Sequence, residues 1–296
     1  KSILIGSFFS EKLKNNMIIS KRKNLSNNFK SLEKINNQEK FFEILKKINI
    51  NYPQWQKTPP KEFKKWIVKN SQSIGGTSIK KYEKKKEIEK IEKNIYFQKI
   101  VEGKVMSAQF YASGNKIILL STCLQWRDPS KDYPFLLGGI ITQKMTRKLI
   151  NKITDTINKI SLTFDLNGLN SIDFIISKSN RIIILEINAR PGLSINLLSK
   201  IYKEKLFSTN IKYTEPTSFF ASSIIYSKKK FIFSHKIKHQ FNKIKYFQNI
   251  SEIPIKNKII NKNDPICLIH SQSNTENETK KIIIELSKKV LSYTNS

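Results

Sequence analysis

Apolar residues along this chain recur with two spacings. Ile150, Ile153, Ile157 and Ile160 repeat every three or four positions and predict a helix over Gln143 to Ile160. A second helix is predicted from Asn37, its cap, with Phe41, Leu45 and Ile48 on one face and Pro53 beyond its end. Thr275 and Glu278 read as a capping box that opens a last helix, with Ile282, Leu286 and Val290 facing inward. Strands are predicted over Ser2 to Ser7, Trp66 to Lys69 and Ile95 to Gln98. Val105 to Tyr111 and Lys116 to Ser121 read as a hairpin turning at Ser113-Gly114-Asn115. Two further strands run from Asn170 to Ser177 and from Arg181 to Asn188, and Ser222 to Tyr226 is strand-like. Lys21 to Asn37 reads as loop or weak helix, and Lys80 to Lys93 as a solvated surface segment.

The pair of strands around Ser179-Asn180 carries the strongest chemical signal. If those two residues form the turn, Asp173 lies opposite Glu186, and Ser171 opposite Asn188, all on one face. The other face holds Ile172, Phe174 and Ile176 against Ile187, Leu185 and Ile183, an apolar surface that must be core. Carboxylates opposite one another repel and need a compensating charge. Magnesium suits the set, because it takes oxygen ligands and is held by one or two carboxylates together with nucleotide phosphates. Asp173, Glu186 and the Asn188 amide oxygen supply such ligands. The plainer alternative is an acid pair neutralised by Arg190 or a lysine.

Two other stretches join this one. Lys69 ends an apolar strand and runs into the small-residue loop from Ser71 to Ser78, which contains Gly75-Gly76. A strand fixes the ammonium while backbone amides of such a loop close over phosphates. The loop lacks the spacing of a Walker-type phosphate loop or a dinucleotide fingerprint. Tyr96-Phe97-Gln98-Lys99-Ile100-Val101-Glu102-Gly103 alternates apolar and polar residues up to a glycine.

Composition excludes more than it proposes. With 296 residues the chain has room for two or three small domains, and no run of about 20 apolar residues marks a membrane span. Cys123 and Cys267 stand far apart, which argues against a disulfide scaffold and fits a reducing cytoplasm. A net charge of +31 invites a polyanion partner. Yet almost all of that charge is lysine, scattered among Asn and Ile as AT-rich codons would supply, and a base-reading surface would use more arginine. A basic nucleic-acid-binding module therefore rests on charge alone. His235 and His239 have helical spacing but no third ligand, which favours a surface pair over zinc.

Taken in order, Lys69 before a glycine loop, the Gln98-x-x-x-Glu102-Gly103 hinge, Ser171-Ile172-Asp173-Phe174 and Leu185-Glu186-Ile187-Asn188-Ala189-Arg190-Pro191-Gly192 resemble the ATP-grasp superfamily, from about Ile35 to Leu198. Gly168 to Phe174 and Leu185 to Gly192 look most like its carboligase-like branch related to biotin carboxylase, whose members often accompany tetrahydromethanopterin-linked one-carbon metabolism. The resemblance implies an α+β chain with an ATP-grasp fold of two α+β lobes. Residues 1–33 would be the tail of a truncated Rossmann-like domain, 34–205 the ATP-grasp domain, and 206–296 a small C-terminal α+β appendage. Lys69 would contact the α and β phosphates of ATP under the Gly75-Gly76 loop. The hinge of Gln98, Lys99, Ile100 and Val101 would hold the adenine, with Gln98 near its exocyclic amine, and Glu102 would follow as a further nucleotide-binding residue. Asp173, Glu186 and Asn188 would hold Mg2+ or Mn2+, and Arg190 would act with Lys69 in catalysis, stabilising the transferred phosphoryl group or the incoming carboxylate.

The implied reaction is a ligase that activates a small-molecule carboxylate as an acyl phosphate for attack by an amine or other nucleophile. The alternatives are a biotin-carboxylase-like carboxylase, for which no biotin-carrier segment is visible, a nucleotide-binding pseudoenzyme, and the nucleic-acid module. The resemblance also has departures. Val105 stands where many ATP-grasp ligases have a ribose-binding glutamate, with Glu102 as a possible substitute. An expected upstream lysine is not singled out between Lys34 and Lys40.

Overall fold

Alternating burial along long strands builds one large sheet, and helices cover each side of it unequally. The computed structural model describes residues 2–3, 23–24, 27–71, 75–83, 94–130, 132–203, 211–244 and 249–294. The chain begins with a parallel pair, β1 (Ser2–Ile3) and β2 (Lys23–Asn24). Two helices follow, α1 (Phe29–Asn36) and α2 (Gln38–Lys47). A four-stranded sheet comes next, made of β3 (Trp55–Gln56), β4 (Trp66–Asn70), β5 (Lys80–Lys81) and β6 (Ile95–Lys99) in the order β3-β6-β4-β5.

The remaining elements form the second body. In chain order these are β7 (Lys104–Ser113), β8 (Lys116–Arg127), β9 (Leu137–Thr142), α3 (Arg147–Phe164), β10 (Gly168–Ile176), β11 (Ile182–Asn188) and α4 (Ile195–Tyr202). They continue as β12 (Phe219–Tyr226), β13 (Phe231–Ile232), α5 (His235–Asn242), β14 (Ile250–Ser251), β15 (Ile259–Ile260), β16 (Pro265–Ser273) and α6 (Glu276–Thr294). Eight strands pair antiparallel in the order β11-β10-β7-β8-β9-β12-β16-β14. The C-terminal strands therefore extend the sheet that begins with β7.

Opposite residues in a ladder share a face, so the pairing sorts side chains into two sides. On one side Met106, Ala108, Phe110, Ile172, Phe174, Ile184 and Ile187 pack on Ile153, Ile157, Ile160 and Phe164 of α3. Farther along that side, Ile141, Ala221, Ile225 and Ile269 pack on Ile283, Leu286 and Val290 of α6. The opposite side is polar next to β10 and β11, and α4 covers its middle through Leu197 against Cys123, Ile140 and Phe220. Phe42 ties the small sheet to this body, stacking on Trp55 at 4.8 Å and meeting Tyr96 edge-on at 6.4 Å.

Several sequence expectations shift, each for a local reason. The helix predicted from Gln143 starts at Arg147, because the Gln143 N–H continues the ladder to the Thr122 carbonyl at 2.9 Å and Thr146 supplies the cap. It runs on to Phe164, where Asp165 turns left-handed at φ 53°. Residues 29–36, expected as loop or weak helix, form α1, capped by Asn28 and held by Leu32 against Ala189. β8 runs to Arg127, six residues past the predicted Ser121. Of the strand expected over Ser2 to Ser7 only Ser2–Ile3 lies within the described residues, as do only Lys80 to Glu83 of the segment from Lys80 to Lys93. The Thr275 hydroxyl accepts from the Glu278 N–H at 3.2 Å, while the Thr275 N–H donates to Ser273 Oγ, the role expected of the Glu278 side chain.

The hairpin of β10 and β11 departs from expectation twice, and the departures cancel. The turn is longer than Ser179-Asn180, so Ile176 pairs with Ile182 and Phe174 with Ile184, in place of the predicted Ile183 and Leu185. A bulge then inserts Leu185 between Asp173 and Phe174, restoring Asp173 opposite Glu186 and Ser171 opposite Asn188.

Phe42 is 1% exposed at the junction of α2, the small sheet and the main body. Phe42→Ala is expected to cost about 3–5 kcal/mol of unfolding free energy, read as a lowered urea midpoint with little change in slope.

Candidate active site

The polar face of the large sheet is a grid. Glu186, Asp173, Ser107 and Cys123 lie in one row across β11, β10, β7 and β8, and Asn188, Ser171, Gln109 and Ser121 in the next. Core packing on the reverse side fixes every one of these orientations, since a slip of one residue would bury the acids and expose the isoleucines.

Asp173 and Glu186 converge on a single positive end. Asn188 Nδ2 donates to Asp173 Oδ2 and to Glu186 Oε1, each at 3.1 Å. Gln125 Nε2 donates to the other Asp173 oxygen at 2.7 Å. Burial first, then the Glu186 charge facing it, hold the Asp173 carboxyl well above its ordinary value of 3.8. Burial would push Glu186 the same way, but Lys69, a hydrogen bond from Asp173, Asn188 and Arg190 together hold it below 4.5. Protein atoms surround the Glu186 carboxylate, yet its side chain is open to water in the cleft. Solvent therefore weakens the burial effect, and the lowering is the direction that stands. The pair thus behaves as one carboxylate beside one carboxylic acid.

Lys69 comes from the other sheet. On β4 it lies opposite Tyr96 of β6, and Ile67 opposite Gln98, so Lys69, Tyr96 and Gln98 share a face. Trp66, Tyr82 and Phe97 pack together on the reverse face and fix the strands. Lys69 is only 9% exposed. Burial alone would lower its pKa, but Tyr96, Glu186 and Asp173 outweigh burial and raise it, so the buried ammonium stays charged. Its Nζ donates to Gln98 Oε1 at 3.5 Å and sits 5.9 Å from the centre of the Tyr96 ring. Gln98 Nε2 is buried with no partner among the described residues.

The other expected residues are spread around this centre. Arg190 follows β11, donates from Nη1 to the Pro191 carbonyl at 3.2 Å and from Nη2 to Asn188 Oδ1 at 3.5 Å, and lowers Glu186 by its charge. Gly75 and Gly76 take positive φ of 68° and 81°. They lean on the start of β9: Gly75 O accepts from Leu137 N at 3.2 Å, and a Cβ on Gly76 would lie 2.1 Å from the Phe135 carbonyl. In the hinge, the N–H groups of Lys99 and Ile100 already donate to Gln54 and Lys65 carbonyls, both at 2.8 Å. Val101 is half-buried, and Glu102 points outward to Lys178 at 3.7 Å.

Gln125, Tyr96 and Gln109 were missed by sequence reasoning. The signal for Gln125 was the continuing alternation past Ser121, which places it two residues beyond Cys123 on the acid face. Burial pushes the Cys123 thiol beside the acid pair up to about 12, so it is no nucleophile at neutral pH. His235 and His239 are exposed on α5.

Two acid oxygens bound by one amide NH2 group form a cradle that also suits a divalent cation, with the Asn188 amide turned to offer its oxygen. Without a cation, Asp173 opposes folding at neutral pH. Its folded pKa is raised, so its favourable contribution is complete below the unfolded value near 3.8 and is lost as pH rises through the folded value. Asp173→Asn, which can still accept from Gln125, should therefore melt higher than the parent in chelator at pH 7. Thermal scans from pH 7 down to pH 3.5 should show that gain shrinking.

The family model for the ATP-grasp domain matches residues 35–215, more than half of the chain. An uncharacterised protein of Methanocaldococcus jannaschii is 25% identical over 276 residues, covering 84% of this chain and 64% of its own length. The carbamoyl phosphate synthase large chain of Caldanaerobacter subterraneus is 24% identical over 67% of this chain, which spans 20% of that protein. Among solved structures, L-amino acid ligase from Bacillus licheniformis superposes with a TM-score of 0.70 at 16% identity, covering 93% of this chain and 75% of that one. N5-carboxyaminoimidazole synthetase from Staphylococcus aureus, complexed with ADP, gives 0.72 at 14% identity over 95% and 78%. Biotin carboxylase from Campylobacter jejuni gives 0.69 at 10% identity over 100% and 78%. These matches give no support to the tetrahydromethanopterin association. The family model spans more than half of the chain, and the solved structures share its fold: the chain belongs to the ATP-grasp family.

Proposed function

We propose that this chain is the ATP-binding part of an ATP- and magnesium-dependent ligase that activates a small carboxylate as an acyl phosphate for attack by an amine or another nucleophile. The observation that carries the reading is the Asp173/Glu186 pair facing the buried, charged Lys69 across a cleft between two sheets. The likeness to an L-amino acid ligase and to carbamoyl phosphate synthase supports carboxylate activation, and the ADP complex of a structural neighbour supports the nucleotide.

In this reading Lys69 meets the α and β phosphates, and Gly75 and Gly76 bring backbone over them. Gln98 offers its unpartnered Nε2 at the adenine end, and the backbone from Lys99 to Glu102 lines the base. Glu102 is a weaker candidate for the ribose, because its side chain is turned to solvent. Asp173, Glu186 and Asn188 hold Mg2+ or Mn2+, with Gln125 orienting Asp173. The bound metal supplies positive charge to the phosphates as the terminal group transfers. Arg190, tied to Asn188 at the end of β11, meets charge on the transferring phosphoryl group or the carboxylate. No side chain need act as a nucleophile.

Likeness to biotin carboxylase favours a second reading, with bicarbonate as the carboxylate. Bicarbonate-dependent ADP release would select it. We further propose that residues 34–205 are the nucleotide-binding unit and that 206–296 are a C-terminal unit extending its sheet. Among the described residues no helix is long and apolar enough to cross a membrane. Both cysteines are buried free thiols, which suits a cytoplasmic setting.

Glu186 is held ionised and Asp173 is not, so Glu186→Gln should weaken magnesium-dependent ADP binding more than Asp173→Asn does, by roughly tenfold or more. Calorimetry with and without magnesium decides, and unchanged affinity in both variants contradicts the assignment. In the full-length enzyme, once its substrate is known, Lys69→Ala should raise the Michaelis constant for ATP. Arg190→Ala should instead lower turnover by roughly ten- to a thousand-fold with less effect on ATP affinity, and normal turnover would leave Arg190 a structural partner of the acids.

A further inference from the structure

α4 divides the polar side of the large sheet. The acid pair lies on one flank, and on the other, where β12, β16 and β14 end the sheet, is a polar recess of about 340 Å3. Lys200 from the last turn of α4, Asn249, His270, Gln272 and Asn274 line it. None of these residues takes part in the site described above.

His270 forms the rigid wall of this recess. It is 6% exposed and sits opposite Ser222 in the ladder of β12 and β16. Its Nδ1 lies 2.7 Å from Ser222 Oγ and its Nε2 2.7 Å from Ser251 Oγ. A neutral imidazole has one donor and one acceptor, and the two hydroxyls match both, so the ring is fixed without a charge partner. Burial, and then the charge of Lys200, push its pKa down to about 4, so it stays neutral in the physiological range. The formal charge on the lining is therefore the ammonium of Lys200. The amides of Asn249, Gln272 and Asn274 add donors, and no described carboxylate lines the recess.

A lysine alone would mean little in a chain so rich in it, and a buried histidine alone would be ordinary core. Here a fixed imidazole, three amides and one ammonium surround a recess large enough for a small polar molecule. We infer that the recess is a second ligand site, taking a small oxyanion, a carboxylate or a phosphate monoester, with Lys200 on its charge and the Asn249 and Asn274 amides on its polar substituents. Its occupant would rest on the helix that begins five residues after Arg190, beside but outside the nucleotide cleft.

The chain contains three histidines, and ring-nitrogen spectra of histidine-labelled full chain follow His270 through its two hydrogen-bonded ring nitrogens, with the imidazole neutral between pH 5.5 and 8. Inorganic phosphate and malonate, at ionic strength matched with sodium chloride, are the probes. A saturable shift of the His270 signals with either anion is expected, and the anion that produces it assigns the head group. Lys200→Met, at an exposed helix position that leaves the core intact, should weaken that binding about tenfold. Saturating magnesium–ADP should leave it unchanged. No saturable shift with either anion, equal affinity in Lys200→Met, or displacement by magnesium–ADP would overturn the inference, and none of these results bears on whether Glu186 holds the metal.

Discussion

Repulsion between Asp173 and Glu186 is the constraint on which the rest of the structure turns. The ladder of β10 and β11 sets the two carboxyls opposite one another, and the isoleucines behind them allow neither to turn away. The fold answers the repulsion with an Asp173 carboxyl held towards its protonated form, the Asn188 NH2 group bridging the acids, a second amide on Asp173, and two cations, Lys69 and Arg190. Each response is partial. A divalent cation would replace the Asp173 proton and the bridging NH2 group together, as the proposed metal site requires.

The two sheets divide the labour. The large sheet, backed by α3 and α6, is a rigid floor on which the acids, Asn188 and Arg190 are placed by register alone. The small sheet contributes Lys69, Tyr96 and Gln98 from a single face, and is joined to the floor through Phe42, Trp55 and Tyr96. The cleft is thus bounded by two faces, the small sheet backed by Trp66, Tyr82 and Phe97 and also joined to the core of the large one. Near the acids the floor is otherwise neutral: Ser107, Gln109, Ser171 and Ser121 are buried polar side chains that carry no charge. In the proposed function, charge brought in by a nucleotide or a carboxylate would be met chiefly by the metal site, Lys69 and Arg190.

Much of this was legible in the chain, for physical reasons. The acid pair could be read because Ile172, Phe174 and Ile187 fix one face of each strand, and the opposite face follows from a period of two. That reading reached the right pairing through a wrong turn, with the extra turn residue and the bulge at Leu185 offsetting one another, so local sequence set the faces better than the loop. Lys69 was legible from its place at a strand end before glycines. Gln125 was not, because its strand was read too short, and Tyr96 was taken as half-buried strand rather than as the neighbour of a buried ammonium. α1 stays open between loop and weak helix in the sequence because its order comes from distant partners: Leu32 on Ala189 and Ser31 on the Asp165 carbonyl. The His270 recess joins α4 to three strands far apart in sequence, and no local pattern announces it.

The central claim is that the Asp173/Glu186 cradle holds the metal that carries the nucleotide. Crystals grown with manganese and ADP, with diffraction collected at the manganese absorption edge, test it most directly. The account predicts an anomalous peak bridging Glu186, Asp173 and the ADP phosphates, with the Asn188 amide turned so that its oxygen faces the ion and Lys69 against the phosphates. Bound ADP whose manganese peak lies away from both carboxylates, with Asn188 Nδ2 still shared between them, would contradict it.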